Sequence, residues 1–204
     1  MVSGLIFDLT DPQAPQLLAE ALQKMGKSVD IVVNNAGFAT YGPFAETSLK
    51  TEREMMQTNM QTLTELTKLF LQPMLNRNSG KILNVASTAA FQPGPFMAVY
   101  YATKAYVLSF SEALAQELSH TSITVTTLCP GPTATAFSER AGALKLFENL
   151  KVMDAATVAL IAYKGLMKGK ILVIPGLRNK ILMESVRFLP RSWVTKIVKR
   201  LQAG

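Results

Sequence analysis

A chain of 204 residues with 49% apolar side chains can bury the core of one ordinary domain, with room for a modest appendage. One cysteine (Cys129) and one histidine (His120) exclude a disulfide framework and argue against a structural zinc site. The net charge of +7 is uneven: residues 1–163 hold 11 Lys/Arg against 13 Asp/Glu, and residues 164–204 hold 10 against Glu184 alone, so the basic character belongs to the tail.

Short β-rich apolar runs alternate with longer helical patterns, which predicts βαβ units and a parallel sheet. Residues 2–9 (VSGLIFDL) read as a strand. Thr10 or Asp11 then caps a helix with Pro12 in its first turn and Leu17, Leu18, Ala21, Leu22 and Met25 on its inner side. Residues 29–35 (VDIVVNN) form a buried strand, followed by the loop AGFATYGPF and a long helix over 48–76 with Pro73 near its end. Residues 80–87 (GKILNVAS) are the next strand, TAAFQPGPF a punctuated loop, and 98–119 a helix. SITVTTLCP is a strand, GPTATAFSERAGALKLFENL a loop with helical pieces, DAATVALIAYKGLMKG a helix and KILVIPG a final strand. The tail places Leu182, Val186, Leu189, Trp193, Ile197 and Leu201 at helical spacing, divided by Pro190. No apolar run approaches the roughly 18 residues of a membrane-spanning helix, and no basic and then apolar leader is seen. A cytoplasmic, metal-free protein is expected.

The chemistry centres on Tyr100, Tyr101 and Lys104 in the predicted helix 98–119. Residues three and four apart share a helix face, so Lys104 can approach either phenol. A phenol titrates near 10, and a neighbouring cation favours its ionised form, which suits a tyrosine to acid/base work. The pair alone also reads as an ordinary half-exposed helix face. Three successive strand ends add weight: Asn34–Gly37 (NNAG), Ser87, and 130–135 (PGPTAT) all face the crevice where open α/β sheets bind ligands.

Those motifs, with Asn59, resemble the short-chain dehydrogenase/reductase family in order and spacing over most of the chain. The resemblance implies a Rossmann-like doubly wound parallel sheet with helices on both faces. It also implies an NAD(P)-dependent oxidoreductase that moves hydride between nicotinamide and a ketone or alcohol. It makes Tyr100 the acid/base, gives Ser87 a hydrogen bond to the substrate oxygen, and has Lys104 lower the tyrosine pKa and hold the nicotinamide ribose. Asn59 would support a water-linked proton relay. Asn35, Ala36 and Gly37 would line the adenosine side of NAD or NADP, with Asp8 near the adenine; Pro130, Gly131 and Thr135 would meet the nicotinamide. Taken without the family, Asn59 reads equally as a surface helix residue, Asp8 as a strand-end or cap residue and Thr135 as a turn residue. His120 reads as a partner of the helix C-terminus and Cys129 as a small buried side chain.

The family's Gly-x-x-x-Gly-x-Gly turn, which cradles the pyrophosphate at a helix N-terminus, occurs nowhere in the sequence. Residues 1–177 are therefore expected to form a Rossmann-like domain lacking its first two strands, an N-terminally truncated member that binds dinucleotide poorly. In the strand order 3-2-1-4-5-6, two strands would lie between residues 2–9 and 29–35, a gap of about 14 Å. The edge of DIVVNN should then be apolar and exposed. A non-catalytic remnant of the family is the alternative. Phe91, Phe96, Met97, Phe137, Leu144, Leu146, Phe147 and Leu150 suggest a small lipophilic carbonyl or alcohol substrate, and equally a core or an oligomer surface. Residues 178–204 form a basic amphipathic extension that either docks on the domain or lies on an anionic membrane. No nucleic-acid motif accompanies the charge, and the family suggests a homo-oligomer built on the helices bearing Asn59 and Tyr100.

Overall fold

The computed structural model describes residues 3–143 and 152–203. Four parallel strands make the central sheet: β1 (Ile31–Asn34), β2 (Gly80–Val85), β3 (Ile123–Leu128) and β6 (Leu172–Val173), in the order β1-β2-β3-β6. Asn34 stands opposite Asn84, Leu83 opposite Thr126, and Leu128 opposite Val173, so the carboxyl ends of all four strands open on one side. A second, two-stranded sheet pairs β4 (Thr133–Ala134) with β5 (Met153–Asp154).

The connecting helices are α1 (Ala14–Lys24), α2 (Leu49–Met56), α3 (Leu63–Asn76), α4 (Ala98–Glu117), α5 (Phe137–Arg140), α6 (Ala155–Met167), α7 (Leu177–Ser185) and α8 (Arg191–Gln202). Ser48 and Asp154 cap α2 and α6, their side chains accepting the backbone N–H groups of Thr51 and Thr157. Between α2 and α3 the predicted long helix passes through a π-helical segment, Gln57–Thr62, the only such segment among the described residues. Pro190 separates α7 and a short 3-10 turn (Val186–Phe188) from α8.

The strand period of two sends alternate residues to opposite faces. Val32, Ile82, Ile123 and Val125 pack with Leu71, Met74 and Leu118 on one side of the sheet. Leu83, Leu128 and Val173 pack with Val158, Ala162 and Leu166 of α6 on the other. A buried polar chain runs across the strands on the same face as Val32 and Ile82. Asn34 donates to Thr67 (3.0 Å) and to Asn84 (2.8 Å), and Asn84 donates to Ser111 (2.9 Å), which joins α3, β1, β2 and α4. Deep burial makes each partner in such a chain costly to lose.

The N-terminal segment departs from expectation. Residues 3–8 form no strand and pair with none of the sheet. Instead the Leu9 carbonyl accepts from Thr62 (2.9 Å) and Thr58 (3.4 Å) in the π segment, so this stretch is held by a helix. The physical reason is the gap foreseen above: β1 is the end strand, and no described strand bridges from it to residues 3–9. Pro12 also falls outside α1, whose first turn holds Pro15 and whose N-cap is Gln13. Leu17 and Met25, placed on the inner face by periodicity, are exposed because α1 packs on α3 and covers no strand. Val33 on β1 is 53% exposed, on the opposite face of this end strand from the buried Val32.

Candidate active site

Each catalytic candidate sits where a strand ends or where a helix faces that end. β2 delivers Ser87 immediately before a 3-10 turn, Thr88–Phe91, and the Ser87 hydroxyl accepts the Ala89 N–H at 3.1 Å. Its neighbour is held by backbone bonds from Ala86 to Leu128 O (2.8 Å) and from Thr88 to Pro130 O (2.9 Å), so the ends of β2 and β3 move as one. α4 begins at Ala98 after Phe96, whose φ of 65° is left-handed, an unusual backbone for an aromatic residue. That turn brings Tyr100 and Lys104 to the inner face of α4, both buried.

Tyr100 and Tyr101 have different partners. Tyr100 hydrogen-bonds Ser87, and burial raises its phenol well above the ordinary range; the Ser87 bond opposes that rise, while Tyr101 and Cys129 add to it. Tyr101 instead accepts a 2.5 Å bond from Gln202 of α8, and burial lifts its phenol to about 12. Lys104 donates to the Val85 carbonyl at 2.8 Å and stands 5.8 Å from the Tyr100 ring centroid. Burial without a carboxylate partner lowers its ammonium to about 8. The expected lowering of Tyr100 by Lys104 is not what sets the phenol in this structure: burial raises it, and the influence that opposes the rise is Ser87.

Asn59 occupies the π segment and is almost wholly buried. Its carboxamide accepts from Phe38 N (3.2 Å) and donates to Phe38 O (3.0 Å) and to Thr103 (3.1 Å). It therefore clamps the loop after β1 against α4, a structural duty that the surface-helix reading does not include. Gly37 lies under this clamp: a Cβ there would stand 2.9 Å from Asn59 Oδ1 and 3.4 Å from Lys104 Nζ.

Asn35, Gly37, Ser87, Tyr100, Lys104, Pro130, Gly131 and Thr135 converge on one cavity of about 670 Å³. Three candidates do not line it, the first being Asn59, which is taken up by its clamp on Phe38. Ala36 is exposed on the loop and does not line the cavity. Asp8, expected near an adenine, lies in an exposed turn where its carboxylate accepts the Thr10 N–H (2.9 Å) and hydroxyl (2.8 Å). Those two bonds hold its pKa below the usual value and commit the carboxylate to its own turn.

Of the lipophilic candidates, Met97 and Phe137 line the cavity, whereas Phe91 and Phe96 do not. Phe96 packs on Tyr41, with ring centroids 6.2 Å apart. Leu144, Leu146, Phe147 and Leu150 lie outside the described residues. Gln92, Arg140, Val198, Leu201 and Gln202 complete the wall and were not foreseen. Periodicity marks α8 as amphipathic but cannot say that its buried face meets a cavity. Cys129 is fully buried, and its thiol is pushed up to about 12 by that burial, as befits an inert core residue.

A parallel sheet with helices on both faces, and a Ser, Tyr and Lys meeting at its carboxyl edge, define a Rossmann-like α/β protein with a polar cluster where such sheets bind ligands. Residues 1–145 match the short chain dehydrogenase family, and the chain belongs to that family. It is 35% identical over 125 residues to the ketoacyl reductase HetN of Nostoc sp., covering 61% of this chain and 44% of that one. Over 167 residues it is 35% identical to a probable NADP-dependent dehydrogenase of Haemophilus influenzae, covering 77% and 66%. A short-chain dehydrogenase from Sphingobium yanoikuyae solved in complex with NADPH superposes with a TM-score of 0.77 at 28% identity, covering 88% of this chain and 71% of that one. The chain spans about half the length of the curated relatives it matches.

Proposed function

We propose that this chain is an NAD(P)-dependent oxidoreductase acting on a lipophilic ketone or alcohol, with Tyr100 as its acid/base. The observation that carries the reading is the meeting of Ser87, Tyr100 and Lys104 at one largely apolar cavity. The residues present suit the nicotinamide end of a dinucleotide. Gly37 leaves open the space beside Asn59 and Lys104 that a side chain would fill, and Lys104 has no anionic partner among the described residues. They do not suit the other end: Asp8 is spent on its own turn, and the glycine-rich turn is not in the sequence.

When bound, the nicotinamide supplies or accepts the hydride. The protein's part is proton management and orientation. Burial keeps the Tyr100 phenol protonated at neutral pH, so in the reductive direction it donates to the carbonyl oxygen. Ser87, already hydrogen-bonded to that phenol, supplies a second hydroxyl to the same oxygen. Lys104 in its charged form favours the phenolate left behind. Met97, Phe137, Val158 and Leu201 are among the apolar residues of the wall, which suits an apolar substrate body.

Two measurements test this reading. Fluorescence titration of the 204-residue chain with NADPH and NADH reports whether it holds the cofactor. Turnover of lipophilic ketones by the wild type, by Tyr100→Phe and by Tyr101→Phe reports the acid. Loss of turnover in Tyr100→Phe alone is expected, and the reverse pattern overturns the assignment. A folded chain that binds neither nucleotide is the non-catalytic member of the family instead.

A further inference from the structure

α8 has an outer face that docking on the domain does not explain. Its inner face is well fixed: Val194 and Gln202 are buried, the Tyr41 hydroxyl donates to the Gln202 carbonyl at 2.5 Å, and Gln202 donates to Tyr101. A docked helix needs only charge on its other side. Here Trp193 is 61% exposed and Leu201 70%, with Ile197 exposed between them, at positions i, i+4 and i+8 of one stripe. The preceding turn adds Phe188, 86% exposed. On the helix wheel the stripe lies between the docked face and a flank that carries Lys196, Lys199 and Arg200, all exposed. Glu184 is the sole acid in residues 164–204, and it stands 3.7 Å from Arg187.

An apolar stripe holding a tryptophan, beside cations with almost no acids, has the chemistry of an interface with anionic lipid. We propose that the outer face of α8 and the turn at Phe188 seat this protein on an anionic bilayer surface. The patch belongs to the last helix of the chain, which follows β6 and α7. It is also continuous with the cavity: Leu201 is on the exposed stripe and lines the cavity wall together with Val198. A lipophilic substrate dissolved in the bilayer would then reach the cavity beside α8. Only that last step rests on the oxidoreductase reading; the docking itself rests on the tail.

The test is sedimentation of the full chain with phosphatidylcholine vesicles, with and without phosphatidylserine, in the absence of nucleotide or ketone. Binding to the phosphatidylserine vesicles that weakens with added salt is expected. Each cation removed from such a surface lowers partitioning about five-fold, so Lys199→Gln with Arg200→Gln should reduce it about 25-fold. Trp193→Ser with Ile197→Ser should also reduce it, and because all four side chains are exposed the melting temperatures should not change. Absence of sedimentation with anionic vesicles overturns the proposal, as does binding that both double variants leave intact. A dimer in solution that Trp193→Glu dissolves, with no lipid binding by the wild type, assigns the patch to a second copy and overturns it too.

Discussion

Lys104 is charged in water but buried here, and the cost of that burial can be read from pH. Its ammonium falls from an ordinary 10.5 to about 8 because burial penalises the charged form, with Cys129 opposing. The unfolded chain therefore holds this proton up to higher pH than the folded chain does. Stability is missing in full below pH 8 and is regained as the pH rises from about 8 to about 10.5. A shift of about 2.5 units at 1.36 kcal/mol each puts the penalty at about 3 kcal/mol at pH 7, falling to about 2 kcal/mol by pH 9. Lys104→Met keeps the apolar stem and removes the charge. It also loses the bond to the Val85 carbonyl, worth about 1 kcal/mol at every pH. Lys104→Met should thus be the more stable protein at pH 7, by about 2 kcal/mol, with the margin narrowing by about 1 kcal/mol at pH 9. Cys129 couples to Lys104, but its thiol is held up to about 12, above both pH values, so its contribution and those of the tyrosines change little in the difference. Urea unfolding followed by circular dichroism at the two pH values measures it. A margin that does not change with pH would refute a buried, unpaired lysine.

Three other changes probe the parts that hold the site. Gly37→Ala places a methyl 2.9 Å from Asn59 Oδ1, so Asn59 must release Phe38; a loss of about 1–3 kcal/mol in thermal unfolding is expected. Thr126 is buried in β3 with no partner found for its hydroxyl among the described residues; Thr126→Val should stabilise by about 1 kcal/mol, read by the urea midpoint at unchanged slope. Gln202→Ala removes the bond that ties α8 to Tyr101, and amide hydrogen exchange over residues 191–202 should speed up about five- to ten-fold.

The elements whose residues pack against one another were legible from the sequence. VDIVVNN, GKILNVAS and SITVTTLCP each contain the strand that forms, because their runs of β-branched and apolar residues, largely buried on both faces in β2 and β3 and on one face in β1, leave a continuous signature. Ser87, Tyr100 and Lys104 were legible too, since the strand end and the helix turn that carry them are local features. VSGLIFDL reads equally well as a strand but forms none, because a strand needs a neighbour and pattern alone cannot supply one. Leu17 and Met25 were misplaced for the related reason that a helix's inner face depends on what it covers. Asn59 had the right position, but its grip on Phe38 depends on a π segment that has no sequence signature.

The sequence wheel left Tyr100 and Tyr101 equivalent before Lys104, and the structure separates them by what each hydroxyl touches. Both line the cavity, but it is Tyr100 that reaches Ser87 at the end of β2. Tyr101 is held from two sides: its hydroxyl meets Gln202, and its ring covers Gly94 so closely that a Cβ there would lie 2.3 Å from a ring carbon. The rings meet edge to face, with centroids 6.0 Å apart and planes at 78°, so neither can turn without the other. A phenol bound to the tail is poorly placed to move a proton to a substrate at Ser87. Its neighbour has a hydroxyl partner, a buried setting that keeps it protonated and a lysine on the same helix face. Tyr101 is better understood as the post to which α8 is tied. On the proposed reading the doubled tyrosine has two duties: Tyr100 serves the acid/base step at Ser87, and Tyr101 holds α8 in the cavity wall.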